Sequence, residues 1–549
     1  MSPSLPASAG PPHIEHLRKQ AKDLLRAYRR NEAAAFARVR AVLPAARGKS
    51  DDALAALQLR LHDMQSCIAR EHGCTSWNEL RDQVELRRAG SEDLRGRRMY
   101  WLRLVYGGDL AGGPTRPRPA LAARMLAEQP DLFGSDALLA CALGDETVVR
   151  AAIAADPAWL NRAGGPLDIP PLIAVTHSTL AVLEPFRENL RRCLRLLLES
   201  GADPNASVFN RWPPNSLEQP GDEKLTAIFG ASGKLHDPQM TAALLAAGAD
   251  PNDGESLYHS TEDPDPALPC TRLLLEGGAR VAGSNALAHV LDRDNLGGLE
   301  MLLARTAHAD PDLGRILHWA IYRGRSAAHV RALLKAGADP NALNAAHQDA
   351  YHHAVSSALP EIMRLLQEGG SGEPLTEAEK FVHACVSGDA PEARRLLAAT
   401  PGLPATLTPA QLKQLPNMAM MGRDHAVKLM VELSWPIATR GGDIDGSALN
   451  WAVFRGRPEL AEFLLKHGAS FREQHGYNND VLGTLSWASL NVPRGDGDWP
   501  ACAAVLLANG VPGATPLPED VAAKPARKVL IDGRTMSFAE DVAEVLLGG

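Results

Sequence analysis

The sequence predicts an all-α solenoid of stacked helix pairs, and two recurring phrases predict it. The first phrase stands at Gly201-Ala202-Asp203-Pro204-Asn205, Gly248-Ala249-Asp250-Pro251-Asn252 and Gly337-Ala338-Asp339-Pro340-Asn341, each time after a Leu-rich stretch. Degenerate copies follow similar stretches at Gly278-Ala279, Gly468-Ala469-Ser470 and Gly510-Val511. A Gly in that place stops a helix because it accepts the left-handed backbone of a helix end. Asp-Pro-Asn then opens a turn. The second phrase opens the first helix of each unit and ends in Leu-His or a variant. It aligns at Leu139, Ile173, Phe229, His259, His289, His318, His353, His383, Asn417, Asn450 and Ser486. Most steps are roughly 30 to 36 residues, the length of one helix–turn–helix unit in a stacked array.

The segments follow in chain order. Residues 1–12 begin Met1-Ser2-Pro3-Ser4-Leu5-Pro6, with neither the charged start nor the apolar run of a secretory signal, and read as disordered. Residues 13–87 read as a helical module. Ile14, Leu17, Leu24, Leu25 and Tyr28 keep helical spacing, a second helix is expected over 53–71, and a third over 76–87 opens on Ser76-Trp77-Asn78-Glu79. Residues 88–134 read as a linker and leading helices, broken at Gly107-Gly108, Gly112-Gly113-Pro114 and Arg116-Pro117-Arg118-Pro119. Residues 135–520 hold about eleven units. The one long step, from Ile173 to Phe229, marks a Pro- and Asn-rich insertion over 208–223 that reads as a surface loop. A second, acidic insert is Glu262-Asp263-Pro264-Asp265-Pro266. Residues 521–549 read as a cap with a helix over 538–547, because the end of a solenoid must present a polar outer face.

These phrases give the chain its resemblance to the ankyrin repeat family. The cleanest copy opens Asp445-Gly446-Ser447-Ala448-Leu449-Asn450-Trp451-Ala452 and closes Phe463-Leu464-Leu465-Lys466-His467-Gly468-Ala469. The stretch His16-Leu17-Arg18-Lys19-Gln20-Ala21-Lys22-Asp23-Leu24-Leu25, with Cys74-Thr75-Ser76-Trp77, is similar to a helical leader found before bacterial ankyrin arrays. Most units lack the family's Thr-Pro pair, and those at Ser135 and Thr376 carry Gly-Asp one residue early. The resemblance implies a concave groove lined by residues after the Ala of each first helix: Arg293, Asp294, Tyr322, Arg323, Phe454, Arg455, Leu490 and Asn491. Tyr and Arg are frequent anchors of interfaces.

Bulk properties remove several function classes. Net charge is −8 at pH 7, which disfavours nucleic acid and anionic membranes as partners. Basic residues crowd 13–47, and that run reads as the solvated face of a capping helix. No apolar run is long enough to span a membrane. Of seven cysteines, Cys193, Cys270 and Cys502 share one position in the second helix of three units, and Cys141 and Cys385 share another in the first helix. They read as small buried hydrophobes in a reducing cytoplasm. Arg/Ala/Gly/Pro-rich usage is associated with a bacterium of GC-rich genome.

Candidate chemistry is sparse. His259, His289, His318, His353 and His383 fall in register, but stacked units lie ~10 Å apart, too far for two ligands each ~2 Å from one metal. In the family this His bonds to neighbouring backbone, so no metal and no cofactor is expected. Trp319, Trp451 and Trp487 occupy the next position and read as core. The finger His475-Gly476-Tyr477-Asn478-Asn479-Asp480, beside Arg440-Gly441-Gly442-Asp443-Ile444-Asp445, is the one place where polar side chains of several kinds are expected to meet. Nucleophile-elbow, phosphate-loop, zinc-protease and dinucleotide signatures are absent, and no catalytic residue is assigned. The expected function is therefore a non-catalytic protein-binding scaffold or adaptor whose partner and oligomeric state are open. Its candidate binding residues are Arg293, Tyr322, Arg323, Phe454, Arg455, His475, Tyr477, Asn479 and Asp480. An enzyme or small-molecule binder near His475–Asp480, and an effector acting on a host protein, are the alternatives.

Overall fold

The computed structural model describes residues 14–90, 92–113, 116–372, 374–493, 495, 497–517 and 526–548. The segment 1–12 and the first part of the expected cap, 521–525, lie outside the described residues. The chain divides into two compact units, one ending at Arg305 and the other beginning at Thr306.

The N-terminal unit opens on the helices Ile14–Arg29, Ala33–Val42, Asp51–Ala55, Leu61–Glu71 and Trp77–Ala89. Leu17, Ala21, Leu24 and Tyr28 lie along one face of the first, and they close over Phe36, Val39, Met64, Cys67 and Ile68. The helix expected over 53–71 is two helices. Ser50 accepts from Ala53 N and starts the first early. Gln58 is left-handed at φ 47°, and the Arg60 N–H donates to Asp63 Oδ2 at 2.8 Å to start the second. Ser76 caps the next helix through Glu79 N. Residues 94–128 contain the helices Leu94–Tyr106, Gly108–Ala111 and Pro119–Glu128, with Trp101 and Tyr106 buried. Tyr106 donates to Ala174 O at 2.7 Å, which ties this region to the array.

Five helix pairs follow in this unit, the last being Ala286–Asp292 with Leu296–Leu303. The insertion of 208–223 is framed by the strands Ser207–Phe209 and Lys224–Thr226. It is not only a surface loop: Arg211 is buried and donates to Leu110 O and Leu167 O.

The C-terminal unit holds six pairs, from Leu313–Tyr322 with Ala327–Lys335 to Val481–Asn491 with Trp499–Ala508. First helix packs on first helix along most of it, but Glu377–Ser387 packs on the second helix of the following pair, Asp424–Glu432. The short helices Leu403–Thr406 and Pro409–Leu412 are inserted at this offset. The chain ends in an antiparallel hairpin, Ala526–Ile531 with Arg534–Ala539, joined on one edge by Thr515–Pro516, and then the helix Glu540–Leu546. The expected helix over 538–547 therefore begins two residues late. Phe538 and Ala539 are strand, because Asp532 and Gly533 at φ 49° and 73° form the turn of a hairpin that extends to them.

The helix stops read from the sequence have one geometry. Gly201, Gly248, Gly278, Gly337, Gly468 and Gly510 have φ of 99°, 95°, 96°, 96°, 97° and 94°. The residue after each donates back to the helix, as in Ala249 N to Leu244 O at 3.0 Å and Ala469 N to Leu464 O at 3.0 Å. At Gly248 nothing lies within 4 Å of where a Cβ would be, so the backbone angle and not crowding demands glycine. The Asn of the phrase does more than open a turn. Asn205 Nδ2 donates to Gly248 O at 3.2 Å and its Oδ1 accepts from Asp250 N at 2.8 Å. Asn161 makes the same two bonds to Gly201 and Asp203, and Asn252 to Gly278 and Arg280. At these three joints one amide staples a unit to the next.

Candidate functional site

Several of the expected groove residues stand at the ends of the first helices of the C-terminal unit. On Leu313–Tyr322, Trp319 and Tyr322 stand one turn apart, and Arg323 follows the helix end. The Arg323 guanidinium lies 4.4 Å over the Trp319 ring, which fixes its plane. Its Nη1 is 2.7 Å from Asp443 Oδ2, and Tyr322 OH donates to Asp443 Oδ1 at 3.0 Å. Asp443 sits at the tip of a small hairpin, Arg440–Gly441 with Gly446–Ser447. The hairpin is held from beneath: Trp451 Nε1 donates to Gly441 O at 2.9 Å. Gly442, at φ 71°, has Trp451 ring atoms 2.6 Å from where a Cβ would stand, so a side chain there would dislodge the tip.

Further along the same face, Arg455 Nη1 donates to Met420 O at 3.0 Å. Phe454 meets Trp451 edge-on at 5.3 Å and stacks flat on Trp487 at 5.5 Å and 15°. The three tryptophans expected as core differ. Trp451 is buried and Trp319 half-buried, but Trp487 is 55% exposed. It lies on Val481–Asn491, the helix against which the strand Arg534–Ala539 packs through Ser486 Oγ on Ser537 O, and its ring stays outside that contact.

The finger 475–480 abuts 440–445, Gly476 N donating to Ile444 O at 2.8 Å, but the charged side chains of the two segments are engaged separately. Asp443 is taken by Arg323 and Tyr322, Arg440 by Asp445 at 2.8 Å, and Asp480 by Arg534 at 2.7 Å and by Gly483 N as a helix cap. Asn479 Oδ1 accepts from Asp480 N. His475 and Tyr477 remain together, rings 6.0 Å apart. His475 Nδ1 accepts from Tyr477 N, so its proton is on Nε2, and burial pushes its pKa down. Tyr477 is 74% exposed.

Arg293 lies in the N-terminal unit, in a separate cluster. Its Nη2 is 3.5 Å from Glu262 Oε1, which is also 3.5 Å from His289 Nε2 and 3.6 Å from His259 Nδ1. The hydrogen bond to Glu262 raises the pKa of His259, whereas burial lowers that of His289, which stacks on Tyr258 at 3.9 Å.

The histidine ladder bonds to backbone in three places, His289 to Tyr258 O, His318 to Ala342 O and His383 to Val355 O. One rung breaks the expected spacing. His318 and His353 touch, Nδ1 to Nδ1 at 3.0 Å. Because Ala342 O can only accept, His318 carries its proton on Nε2 and accepts from His353 through Nδ1. Burial, and then His318, push the pKa of His353 down to about 3. Among the described residues no group of three His, Cys, Asp or Glu is placed to hold a metal. All seven cysteines are buried thiols, and burial pushes Cys193 up to about 12.

The sequence places Tyr322, Arg323, Phe454 and Arg455 on one face and Asp443 near the groove with the finger 475–480, but it shows neither the pairing of Asp443 with Arg323 nor the contact of Met420 with Tyr322, and it reads Trp487 as core. The partners in these two contacts lie 120 and 98 residues apart, and no local pattern marks such pairs.

The ankyrin repeat family model matches residues 316–345. No curated protein sequence matches the chain. Two solved structures illustrate what the chain is similar to. The human ASB11 ankyrin repeat domain is 20% identical over 41% of this chain and 99% of that one, with a TM-score of 0.21. The ankyrin repeat domain of Bcl-3, a member of the IkappaB family, is 19% identical over 36% and 92%, with a TM-score of 0.18. None of the helices among the described residues is long and apolar enough to cross a membrane. The chain carries an ankyrin repeat at 316–345, the unit that holds Tyr322 and Arg323, and helix pairs closed by the same repeated stop stand on both sides of it.

Proposed function

We propose that the chain is a non-catalytic scaffold that seats a protein partner on the inner face of its C-terminal unit, with Phe454 and Trp487 as the platform. Ankyrin repeats are in general protein-interaction modules. The observation that carries the reading is Trp487, stacked on Phe454 yet 55% exposed. Interfaces concentrate their energy in such aromatic and Arg anchors, and a partner that covers the ring removes apolar surface from water. Arg455 and Tyr477 supply polar contacts on the same part of the chain. The division that goes with this reading is a helical module over 13–87, the array over 135–520 and a cap over 521–549. The compartment is the cytoplasm of a bacterium, supported by the buried, unpaired thiols and by the residue usage.

A catalytic site at 475–480 has less support, because Asp443, Arg440 and Asp480 are each engaged with a different partner. The test is capture of partners by the tagged full chain from its own cell, read by mass spectrometry, for the wild type and for Phe454→Ala and Trp487→Ala. A protein recovered by the wild type and lost from both variants, with their helicity unchanged, is the expected result. Equal recovery by all three removes the platform.

A further inference from the structure

We propose that Trp319, Tyr322 and Arg323 form a receptor for a carboxylate on an acidic segment of the partner, and that Asp443 occupies it as a stand-in while the groove is free. The proposal rests on the groove-binding reading and names the chemistry of the partner. Three observations carry it.

The first is the fit of the receptor to its guest. Both carboxylate oxygens are engaged, one by Arg323 at 2.7 Å and the other by Tyr322 OH at 3.0 Å. The Trp319 face under the guanidinium aims its donor edge and reduces the freedom lost on binding.

The second is that the guest is detachable. Asp443 comes from a hairpin 120 residues away in sequence. The shape of that hairpin is set by Trp451 Nε1 on Gly441 O and by Arg440 on Asp445, neither of which involves Asp443. The Asp443 side chain is 40% exposed and that of Arg323 20%, so the pair is partly solvated and contributes little to the fold. A second carboxylate can replace the first without unfolding anything.

The third is charge. The chain as a whole is acidic, at −8, but Arg323 and Arg455 both project from first-helix ends onto this face. An acidic partner is repelled by the net charge of the chain and drawn to the guanidinium groups on this face.

The probe is a fluorescein-labelled octapeptide of alternating Glu and Gly, titrated by anisotropy into the full chain, with the Gln analogue as control. The Glu peptide is expected to bind and the Gln peptide not. Asp443→Asn is expected to bind about fivefold tighter, the factor released when a partly exposed ion pair no longer competes. Arg323→Gln is expected to lose at least tenfold. Equal affinity of Asp443→Asn and wild type, or binding indifferent to Arg323 or to Glu against Gln, overturns the proposal. A measurement on the wild type alone guards against a variant that misfolds: amides of 442–444 are expected to exchange hydrogen faster when the Glu peptide is present, and unchanged exchange overturns it. If the peptide fails while partner capture still depends on Trp487, the carboxylate class falls and the platform stands.

Discussion

The joints between repeats in the N-terminal unit differ from those in the C-terminal unit. In the first, Asn161, Asn205 and Asn252 each reach one unit forward and satisfy a carbonyl and an N–H on the turn side of the array. The same pair of bonds recurs at each of these three joints. In the second, joints are made by larger side chains, each in its own way. His318 meets His353, Arg423 donates to Ser357 O, Asn450 donates to Glu473 O and accepts from Thr484, and Trp451 holds the 440–447 hairpin. The lesson is that an intact phrase does not by itself decide the joint. Asn205 and Asn252 reach forward from theirs, whereas after the full copy at Gly337–Asn341 the joint is made by His318 and His353.

The largest expected break in the second kind of joint is Trp451→Ala. It removes a buried ring and the donor to Gly441 O, so the C-terminal unit is expected to lose about 3–5 kcal/mol in urea unfolding. The hairpin tip is then unsupported, and Asp443 is expected to leave Arg323 and Tyr322.

The His318–His353 joint makes a prediction about pH. His353 titrates near 6.5 when unfolded but is held to about 3 when folded. Below pH 6.5 the unfolded chain takes up a proton that the folded chain refuses, so stability is full above about 6.5 and falls as pH drops toward 3. The loss is expected to be about 2 kcal/mol between pH 6.5 and 5. Urea midpoints measured across that range should slope, and the slope should flatten in His353→Asn. A slope unchanged by the substitution removes the pair as its cause.

The smallest effects compare the helix stops themselves. Gly248→Ala meets no atom within 4 Å but keeps a φ of 95°, and is expected to cost about 1 kcal/mol. Ser434 occupies the same kind of stop at φ 66°, with Trp435 N bonded back to Met430 O at 3.1 Å. Ser434→Gly is expected to stabilise by about 0.5–1 kcal/mol. Thermal melts of the two variants should move in opposite directions, and movement in one direction would mean that the two stops are not equivalent.

These cases also show what a sequence makes visible. The stops at Gly201, Gly248, Gly278, Gly337, Gly468 and Gly510 were legible because the demand for a left-handed residue is local. So was the cap at Ser76. The hairpin at Asp532-Gly533 carried a local signal that was overlooked, since the turn residues are followed by the alternation of Met536 and Phe538. The break at Gln58 interrupts an otherwise helical pattern without Gly or Pro to announce it. The site was legible in part, because Tyr322, Arg323, Phe454 and Arg455 follow from the position of the first-helix ends. The pairing of Asp443 with Arg323 was not, since it depends on where the stack is offset at 400–413. Nor was the exposure of Trp487, since Trp319 and Trp451 at the same register position are half-buried and buried.

The central claim is that the partner seats on the inner face of the C-terminal unit. The most direct measurement leaves Trp487 in place and puts a photo-crosslinker in the full chain either at Asn491, one turn beyond it on the same helix, or at Arg364, on the helix Pro360–Glu368 with a side chain 73% exposed. The account predicts a crosslinked partner from position 491 and none from 364. A partner crosslinked from 364 and not from 491 would contradict it.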